Sequence, residues 1–323
     1  MPMAIRVHTL GGPEVLRWEN VDVPPPAAGE LAIRQTAIGL NYSDVYYRSG
    51  FYTQPLPAIL GAEGAGVVEA LGPGVEGFTK GDRVAYAPLQ GAYVERRNIL
   101  ARIAVPLPDW VSDEQAAAMM LKGLMARILV RDVHRIAPGE TILITSVAGG
   151  VGLILCQWAA HLGATVIGTV GSREKAEVAA AHGCRHPVLY RETDFVSAVR
   201  ELTDGKGVAV VYDMVGADVF TRSLDCLHPR GLMVSIGQAA GPAPPVDVMT
   251  LSRKGALYLT RPGLPSYVPT REALLVAAHD LFDVVKSAAV TIEVRQRYAL
   301  RDAAAAHRDL ERRATTGSSV LIP

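Results

Sequence analysis

The stretch Glu140-Thr-Ile-Leu-Ile-Thr-Ser-Val-Ala-Gly149-Gly150-Val151-Gly152 decides the fold of this chain. Its first part, Thr141–Thr145, is short, apolar and β-branched, which predicts a buried strand. A glycine turn follows, and apolar residues then recur at helical spacing until Gly163, which has the place of a left-handed helix cap. A strand, a glycine turn and a helix in this order leave the first N–H groups of the helix free to bind a pyrophosphate.

The glycine motif is incomplete, and this leaves two interpretations. In a Gly-x-Gly-x-x-Gly fingerprint the first position makes the tight turn, but here it is Val147, while Gly149 and Gly152 fill the second and third. A plain turn between a strand and a helix would also tolerate such a sequence. We favour a dinucleotide site that includes Gly149, Gly150, Val151 and Gly152, because the strand and the apolar helix are both in place.

Composition narrows the class of protein. The 323 residues are enough for two domains, and 49% of them are apolar while 20% are charged, as in a globular protein with ample core. Lys+Arg and Asp+Glu balance at 32 each, which makes a nucleic-acid partner unlikely on charge grounds. Residues 141–160 carry no charge, but they contain the glycine turn and so predict the centre of a parallel sheet rather than a membrane span.

The cysteines and the start of the chain bear on its location. Cys156, Cys184 and Cys226 lie far apart and suggest neither a disulfide framework nor a metal motif. Met1–Thr9 has no apolar run of the length found in signal peptides. We therefore expect a reduced, cytoplasmic setting.

The rhythm of predicted elements divides the chain. Residues 1 to about 120 predict mostly strands and turns, whereas 140–260 alternate strands with helices, which predicts right-handed crossovers and a parallel sheet. The tail is expected to pack back on the N-terminal part. The elements predicted in the second half are strands at Thr165–Val170, Val188–Tyr190, Val208–Tyr212, Leu232–Ile236, Leu257–Thr260, Thr291–Val294 and Ser319–Ile322, and helices at Ser172–His182, Phe195–Leu202, Val219–Leu227, Arg271–Lys286 and Arg301–Arg313.

The end of the second α/β strand predicts which nucleotide binds. An enzyme that selects NAD normally has Asp or Glu there to bond the ribose 2′-OH. Here the strand ends Thr169-Val-Gly171-Ser172-Arg173-Glu-Lys175, with small groups and two cations. These suit the 2′-phosphate of NADPH, although a solvated first helical turn would have a similar composition.

Ordered motifs along the whole chain carry a family resemblance. They are Gly11-Gly-Pro-Glu-Val-Leu16, Asn41-Tyr-Ser-Asp44-Val-Tyr46-Tyr-Arg48-Ser-Gly50, Gly61-Ala-Glu-Gly-Ala-Gly-Val-Val68, Gly81-Asp-Arg-Val84, Ala148-Gly-Gly-Val-Gly152, Val211-Tyr-Asp213, Gly231-Leu-Met-Val-Ser-Ile-Gly237 and Arg313-Ala-Thr-Thr-Gly-Ser-Ser319. With these motifs the chain resembles the medium-chain dehydrogenase/reductase superfamily, and within it the zinc-free, zeta-crystallin-like NADPH:quinone oxidoreductases.

The resemblance implies a fold and an assembly. We expect an α/β protein with a GroES-like β-rich catalytic domain (1–121 and 262–323) and a Rossmann doubly wound parallel-sheet domain (122–261), binding NADPH, and in most members forming a homodimer.

The resemblance also implies site residues. Asn41, Asp44, Tyr46 and Tyr52 would lie near the substrate. The cofactor would be contacted by Tyr42, Ser43, Gly171, Ser172, Arg173, Lys175, Tyr190, Ile236, Gly237, Gln238, Pro262, Gly263, Leu264 and Arg313. Met125 stands where these enzymes often have Thr, so the contacts near the nicotinamide are open.

No metal site is expected. Zinc-dependent relatives have a Cys ligand at the position of Ser43 and a His ligand at the position of Ala62, and neither residue present here supplies a thiolate or an imidazole. Between Gly91 and Ile99, where those relatives carry a four-cysteine lobe, there is no cysteine. Without a Lewis acid an unactivated alcohol is a poor substrate, whereas a quinone takes up the charge of the hydride by its own conjugation.

Three functions remain open at this point. The first is reduction of a quinone by NADPH. The second is reduction of conjugated enones or alkenals, and pocket shape would decide between the two. The third is a structural or RNA-binding role with little turnover, against which the neutral charge balance argues.

Overall fold

The computed structural model describes the backbone of residues 1–323 and every side chain except that of Asp218. The strands are β1 Met3–Val7, β2 Arg17–Asn20, β3 Glu30–Gly39, β4 Ala58–Ile59, β5 Gly64–Leu71, β6 Arg83–Tyr86, β7 Arg96–Leu100, β8 Ala104–Pro106, β9 Thr141–Ile144, β10 Thr165–Val170, β11 Cys184–Leu189, β12 Val208–Asp213, β13 Leu227–Ser235, β14 Tyr258–Thr260, β15 Val294–Ala299 and β16 Ser318–Ile322. The helices are α1 Tyr42–Ser49, α2 Asp113–Ile128, α3 Gly150–His161, α4 Arg173–Ala181, α5 Phe195–Leu202, α6 Ala217–Ser223, α7 Val248–Arg253, α8 Leu264–Tyr267, α9 Arg271–Lys286 and α10 Ala303–Glu311.

The chain forms two compact units. Unit 1 comprises Met1–Leu124, Val268–Asp280 and Ile292–Pro323, and unit 2 comprises Met125–Tyr267 and Leu281–Thr291. Unit 1 therefore joins both ends of the chain, and Leu281–Thr291 packs with unit 2.

Unit 2 is built on one parallel sheet. Its strand order is β11-β10-β9-β12-β13-β14, and every neighbouring pair is parallel. The order runs outward in both directions from the β9–β12 pair, which is the doubly wound arrangement with its switch point at the carboxyl ends of these two strands. Ile142–Ile144 of β9 is fully buried, because a central parallel strand is covered on both faces.

Unit 1 is a β-rich body with two sheets. A larger sheet has the order β15-β16-β3-β5-β6-β8, with β7 also pairing β3, and a smaller sheet has the order β2-β1-β4. Within the larger sheet, Val320 of β16 pairs with Gly39 of β3 in antiparallel register. The expectation that the tail packs back on the N-terminal part is confirmed by this pairing.

Several elements of the second half differ from the sequence prediction. Strand β11 begins at Cys184 and not at Val188, and β13 begins at Leu227 and not at Leu232. One helix and one further strand also differ. The predicted helix Val219–Leu227 is too long: α6 ends at Ser223, and Leu227 already pairs with Val208 as the first residue of β13. The predicted strand Thr291–Val294 is wrong, because β15 begins only at Val294. Thr291 instead donates two hydrogen bonds, from its N–H and its hydroxyl, to the side-chain oxygen of Gln157. Long-range pairing, rather than local composition, sets both boundaries.

Helix α1 is an element that the sequence patterns did not reveal. It is short and its exposed positions are polar, so it has no long apolar stripe. Asn41 precedes it with an extended backbone, and Gly50 ends it at φ +84°, where the left-handed conformation is easiest for glycine. This helix carries most of the residues that the family resemblance places near the substrate.

No helix among the described residues is both long and apolar enough to cross a membrane.

Gly163 and Gly205 provide a matched test of the helix ends. Both have a positive φ, +90° and +76°, but a Cβ on Gly163 would lie 3.1 Å from the Pro138 Cα, whereas a Cβ on Gly205 meets nothing within 4 Å. We expect G205A to lower the free energy of unfolding by about 1 kcal/mol through backbone strain alone. G163A should cost clearly more, because crowding is added to the same strain. Urea unfolding of both variants measures the difference, and equal costs would contradict the packing argument.

Candidate active site

In unit 2, the glycine turn lies at the carboxyl end of β9 and opens α3. Gly149 is the residue before the helix, and it has no side chain to bond the free N–H groups of the first turn. A Cβ on Gly152 would lie 2.5 Å from the Ser146 carbonyl oxygen and 2.6 Å from that of Val147. Only glycine fits at this position, as the third position of the fingerprint requires. The geometry is that of a helix terminus able to bind an anion.

A buried carboxylate holds this turn against the next strand. Asp213, fully buried at the end of β12, accepts hydrogen bonds from the Thr145 hydroxyl (3.0 Å) and from the N–H groups of Val215 (2.9 Å) and Gly216 (3.2 Å). Burial raises the pKa of Asp213, and the two N–H donors and the Thr145 hydroxyl oppose that rise. The Thr145 hydroxyl oxygen in turn accepts from the Met214 N–H at 2.8 Å. The carboxyl ends of β9 and β12 are thus cross-linked at the switch point.

The predicted residues at the ends of β13 and β14 share this edge of the sheet, because carboxyl ends of parallel strands face the same way. The N–H groups of Ile236 and Gly237 donate to the Asp213 carbonyl oxygen at 2.7 and 3.1 Å. A Cβ on Gly237 would lie 2.4 Å from the Met214 carbonyl oxygen, so this position also needs glycine. Gln238 follows in the chain. After β14 come the remaining three, Pro262, Gly263 and Leu264, of which Leu264 begins α8.

The end of β10 carries the groups predicted to select the nucleotide. Ser172 is the N-cap of α4 and accepts the Lys175 N–H at 3.4 Å. Arg173 is 78% exposed and lies 3.7 Å from the Glu192 carboxylate. A Cβ on Gly171 would approach the Tyr190 hydroxyl to 3.1 Å, so the turn after β10 packs on the residue after β11. Two cations and a capped helix start therefore occupy the place where an NAD enzyme has an acid.

In unit 1, the predicted substrate residues surround the start of α1. The Asp44 carboxylate accepts the Asn41 N–H at 2.9 Å, which closes the first turn of the helix. The Asn41 side-chain amide donates to the Glu63 carboxylate at 2.9 Å and to the Gly39 carbonyl oxygen at 3.4 Å. Both amide hydrogens of Asn41 are thereby used, and its remaining polar atom is an acceptor.

Glu63 is the centre of a buried polar cluster in unit 1. Its side chain is fully buried and pairs with the ammonium group of Lys122, which is 5% exposed. It also accepts the Leu121 N–H at 2.6 Å from α2. A buried ion pair is stable only when further hydrogen bonds satisfy its atoms, and Asn41 and Leu121 supply them.

The tyrosines predicted near the substrate form an aromatic group. The Tyr46 ring centroid lies 5.4 Å from that of Tyr42, 5.3 Å from Phe51 and 5.1 Å from Tyr52. Tyr46 is mostly buried, while Phe51 is 42% exposed. The structure thus brings Asn41, Tyr42, Asp44, Tyr46 and Tyr52 together on α1 and the turn after it.

The positions that hold zinc in zinc-dependent relatives carry Ser43 and Ala62. The Ser43 hydroxyl is buried with no hydrogen-bond partner, and Ala62 is 4% exposed. Within the described residues no group of three or more His, Cys, Asp or Glu side chains could hold a metal ion. The residue types present do not fit a zinc ion at this place.

Comparison with known proteins decides the family. Residues 27–138 match the model of the alcohol dehydrogenase GroES-like domain, and residues 150–261 match that of the zinc-binding dehydrogenases. The chain is 50% identical to a quinone oxidoreductase of Pseudomonas aeruginosa, with full coverage of both chains. The chain belongs to the quinone oxidoreductase family. The predicted GroES-like and Rossmann domains are confirmed by these matches.

Two further relatives of this quinone oxidoreductase chain add detail. A crystal structure of Escherichia coli quinone oxidoreductase complexed with NADPH is 48% identical, with a TM-score of 0.97 over 99% of this chain and 100% of that one. A 2-haloacrylate reductase of Burkholderia sp. is 45% identical over 100% of this chain and 99% of its own length. The neighbours thus include reductases of both quinones and a conjugated acid.

Several supporting residues were missed by the sequence analysis. Glu63, Asp213 and Arg48 stand in the family motifs but had no assigned role, and Lys122 stands in none of those motifs. A charged residue inside an apolar context is the signal that could have found Glu63 and Lys122, because such residues are rarely buried without a partner. Arg313 lies just after α10 with φ +58°. Its cofactor contact stays a prediction.

The Glu63–Lys122 pair permits a double-mutant test. We expect K122M to lower the free energy of unfolding by about 3–5 kcal/mol, because it leaves the Glu63 carboxylate buried without its counter-charge. E63Q/K122M should recover part of this loss, since the second change removes the stranded charge. Urea unfolding at neutral pH gives the cycle. If K122M were no less stable than wild type, or if the double variant lost the sum of both single losses, the pair would not be coupled as described.

Proposed function

We propose that this chain is an NADPH-dependent quinone reductase that works without zinc. The observation that carries the proposal is the glycine turn at the switch point of the unit 2 sheet, with cations instead of an acid at the end of β10, in a chain 50% identical to a quinone oxidoreductase over its full length. The NADPH complex of the Escherichia coli relative supports the choice of cofactor.

The residues of unit 2 fit a phosphorylated dinucleotide. The uncapped start of α3 at Gly149, Gly150 and Val151 would hold the pyrophosphate, and Gly152 permits the close approach of helix and strand. Ser172, Arg173 and Lys175, with Tyr190 and Arg313, would hold the adenosine phosphate, and the turns at 236–238 and 262–264 the nicotinamide half. When bound, the cofactor supplies a hydride.

The residues of unit 1 would position the acceptor and stabilise its charge. Because both amide hydrogens of Asn41 are used within the protein, Asn41 would orient a donor group rather than stabilise an oxyanion. A developing oxyanion therefore needs Tyr46 or Tyr52 as hydrogen-bond donor, and water serves equally well as the proton source. Tyr42 and Ser43 would contact the cofactor from the same helix.

A conjugated alkene is the second candidate substrate. It is favoured by the 45% identity to a 2-haloacrylate reductase. Quinones and conjugated alkenes make the same demand on the protein, since both delocalise the incoming charge and neither needs a Lewis acid.

The partner and the location of the enzyme belong to the proposal as well. Strand β14 is the end of the unit 2 sheet, and Tyr258 (62%) and Leu259 (38%) on it are exposed, as are Val248 (75%) and Met249 (52%) of α7. An unpaired apolar edge is a template for pairing with a second copy, so a homodimer is proposed through β14. The free, buried cysteines support a cytoplasmic setting, and the balanced charge argues against nucleic acid.

A substrate panel tests the reaction. Oxidation of NADPH should be fastest, by kcat/KM, with quinones, slower with enones and 2-haloacrylates, and absent with simple ketones, and a chelator should leave the rates unchanged. A higher kcat/KM for haloacrylates than for every quinone would move the assignment to the second candidate. A rate that chelation abolishes would overturn the zinc-free proposal.

Charge removal tests the cofactor. K175A and R313A should each raise the Kd of NADPH about tenfold, because a lost hydrogen bond to a charged group costs about 1.5–3 kcal/mol. The Kd of NADH should change little, since NADH lacks the 2′-phosphate. K286A, which removes an exposed lysine at the end of α9, is the matched control. Equal losses for NADH and NADPH in fluorescence titrations would contradict the assigned contacts.

A further inference from the structure

A line of four buried polar side chains in unit 1 begins and ends on α1 and passes through α10. The Arg48 guanidinium lies 2.9 Å from Nδ1 of His307, Nε2 of His307 lies 3.0 Å from the Tyr93 hydroxyl, and that hydroxyl lies 2.9 Å from Oδ2 of Asp44. None of the four is more than 1% exposed. The residues of this line, Arg48, His307, Tyr93 and Asp44, come from three separate parts of the sequence, because Asp44 and Arg48 both belong to α1. They are here called the α10–α1 chain.

The direction of the hydrogen bonds in the α10–α1 chain is fixed. A guanidinium has donors only, so Nδ1 of His307 must accept and the imidazole proton must be on Nε2. Burial, with Arg48 next to it, lowers the pKa of His307 to about 3, which keeps the ring neutral. Nε2–H then donates to the Tyr93 oxygen, and the one proton of Tyr93 is left for Asp44. Burial raises the pKa of Tyr93 well above its usual value, so that proton stays in place.

Arg48 blocks proton transfer at the end of the α10–α1 chain that lies nearest to solvent. Arg48 also donates to the Glu311 carboxylate at 2.6 Å and to the Gly11 carbonyl oxygen at 3.1 Å, and Glu311 is 31% exposed. Because a guanidinium does not give up a proton in proteins, no proton passes from Glu311 to His307. The α10–α1 chain is therefore suited to holding groups in place and not to conducting protons.

The other end of the α10–α1 chain is the Asp44 carboxyl group, whose two oxygens have different surroundings. Oδ2 of Asp44 accepts from Tyr93 and from the Asn41 N–H, whereas Oδ1 is buried and has no hydrogen-bond partner. Burial raises the pKa of Asp44 to about 7, and the hydrogen bonds from Asn41 and Tyr93 and the charge of Lys122 limit that rise. The titratable groups that act on Asp44 are Tyr93, Lys122, Glu63 and, within α1, Tyr47.

Helix α1 depends on these bonds for its orientation. It has only eight residues, and an isolated helix of that length is not stable in water. Of its four buried residues two, Asp44 and Arg48, are members of the α10–α1 chain. Apolar burial alone therefore does not anchor this helix, and loss of the chain would free it to tilt.

We propose that His307 is a positioning residue of the reductase: through Tyr93 and Arg48 it holds α1 and the Asp44 carboxyl in the geometry that turnover requires. The inference rests on the proposed function, because Asn41 caps α1 and Tyr46 lies on it. His307 itself lies outside the segments that the family motifs cover. A displacement of about 1 Å in a catalytic group costs about a hundredfold in rate, so a distant anchor of α1 affects kcat without touching the substrate.

Three variants separate positioning from stability. H307Q keeps one acceptor for Arg48 and one donor for Tyr93, H307L removes both at similar size, and Y93F removes only the hydroxyl. H279Q, at an exposed histidine of α9, is the matched control. Each is measured by urea unfolding and by kcat and KM for NADPH and a quinone from pH 5.5 to 9.

The proposal expects a distinct pattern. In H307L kcat should fall at least tenfold with KM for NADPH changed less than threefold, and H307Q should stay within about threefold of wild type in both. If ionisation of Asp44 affects turnover, kcat of the wild type should change with pH near 7, where burial places the pKa of Asp44. In Y93F this change should move to higher pH, because Asp44 loses a donor to its charged form. H279Q should match wild type throughout.

Other results overturn it. If H307L unfolded more easily but kept the wild-type kcat, His307 would be a stabilising residue only. If H307Q lost as much kcat as H307L, the hydrogen bonds to Arg48 and Tyr93 would not be what turnover requires. Nitrogen NMR of labelled histidine tests the direction of the chain without turnover, and a proton on Nδ1 of His307 would also overturn the proposal. Wild-type protein that oxidised NADPH with no quinone or conjugated alkene, yet showed the Nε2–H form, would instead refute the proposed function and leave the α10–α1 chain standing.

Discussion

The hydrogen bonds of the Asp213 carboxylate are the interaction on which the nucleotide end of the structure depends. They connect the end of β12 to Thr145 at the end of β9, and the two turns that follow these strands are held by the same group. A fully buried carboxylate that accepts several donors is costly to disturb, because each donor would be left unsatisfied in a site without water. The glycine turn can therefore present a rigid helix start to a phosphate, which a mobile loop would do poorly.

In unit 1, too, buried carboxylates that accept several hydrogen bonds hold neighbouring groups in place. The Glu63 carboxylate pairs with Lys122 and accepts hydrogen bonds from the Leu121 N–H and the Asn41 amide. The Asp44 carboxylate accepts hydrogen bonds from the Asn41 N–H and the Tyr93 hydroxyl. A buried charged centre thus organises the residues around α1. The side chains that would meet a substrate are oriented by hydrogen bonds to other groups of the protein, as the amide of Asn41 shows.

The sequence predicted the second half of the fold better than its polar sites. The strand and helix at 141–162 were predictable because a central parallel strand and its crossover helix are apolar on nearly every side, and Ser172 as an N-cap follows from a purely local bond. The element boundaries at Leu227 and Val294 were not predictable, because pairing with another strand sets each of them. Leu227 pairs with β12, on the other side of a helix, and Val294 pairs with β16, later in the sequence. Helix α1 escaped prediction because half of its buried face is charged.

By itself, the sequence determined the architecture, the glycine turn between β9 and α3, the lack of an acid at the end of β10 and the residue types at Ser43 and Ala62, where zinc-dependent relatives have ligands. These depend on residue type and spacing, which act locally. Only the tertiary structure decided which hydrogen atoms of Asn41 are used, which nitrogen of His307 carries its proton and which charge Lys122 faces. The reason is physical: the state of a buried polar group is set by the partners that desolvation forces upon it, and those partners come from segments up to 263 residues apart.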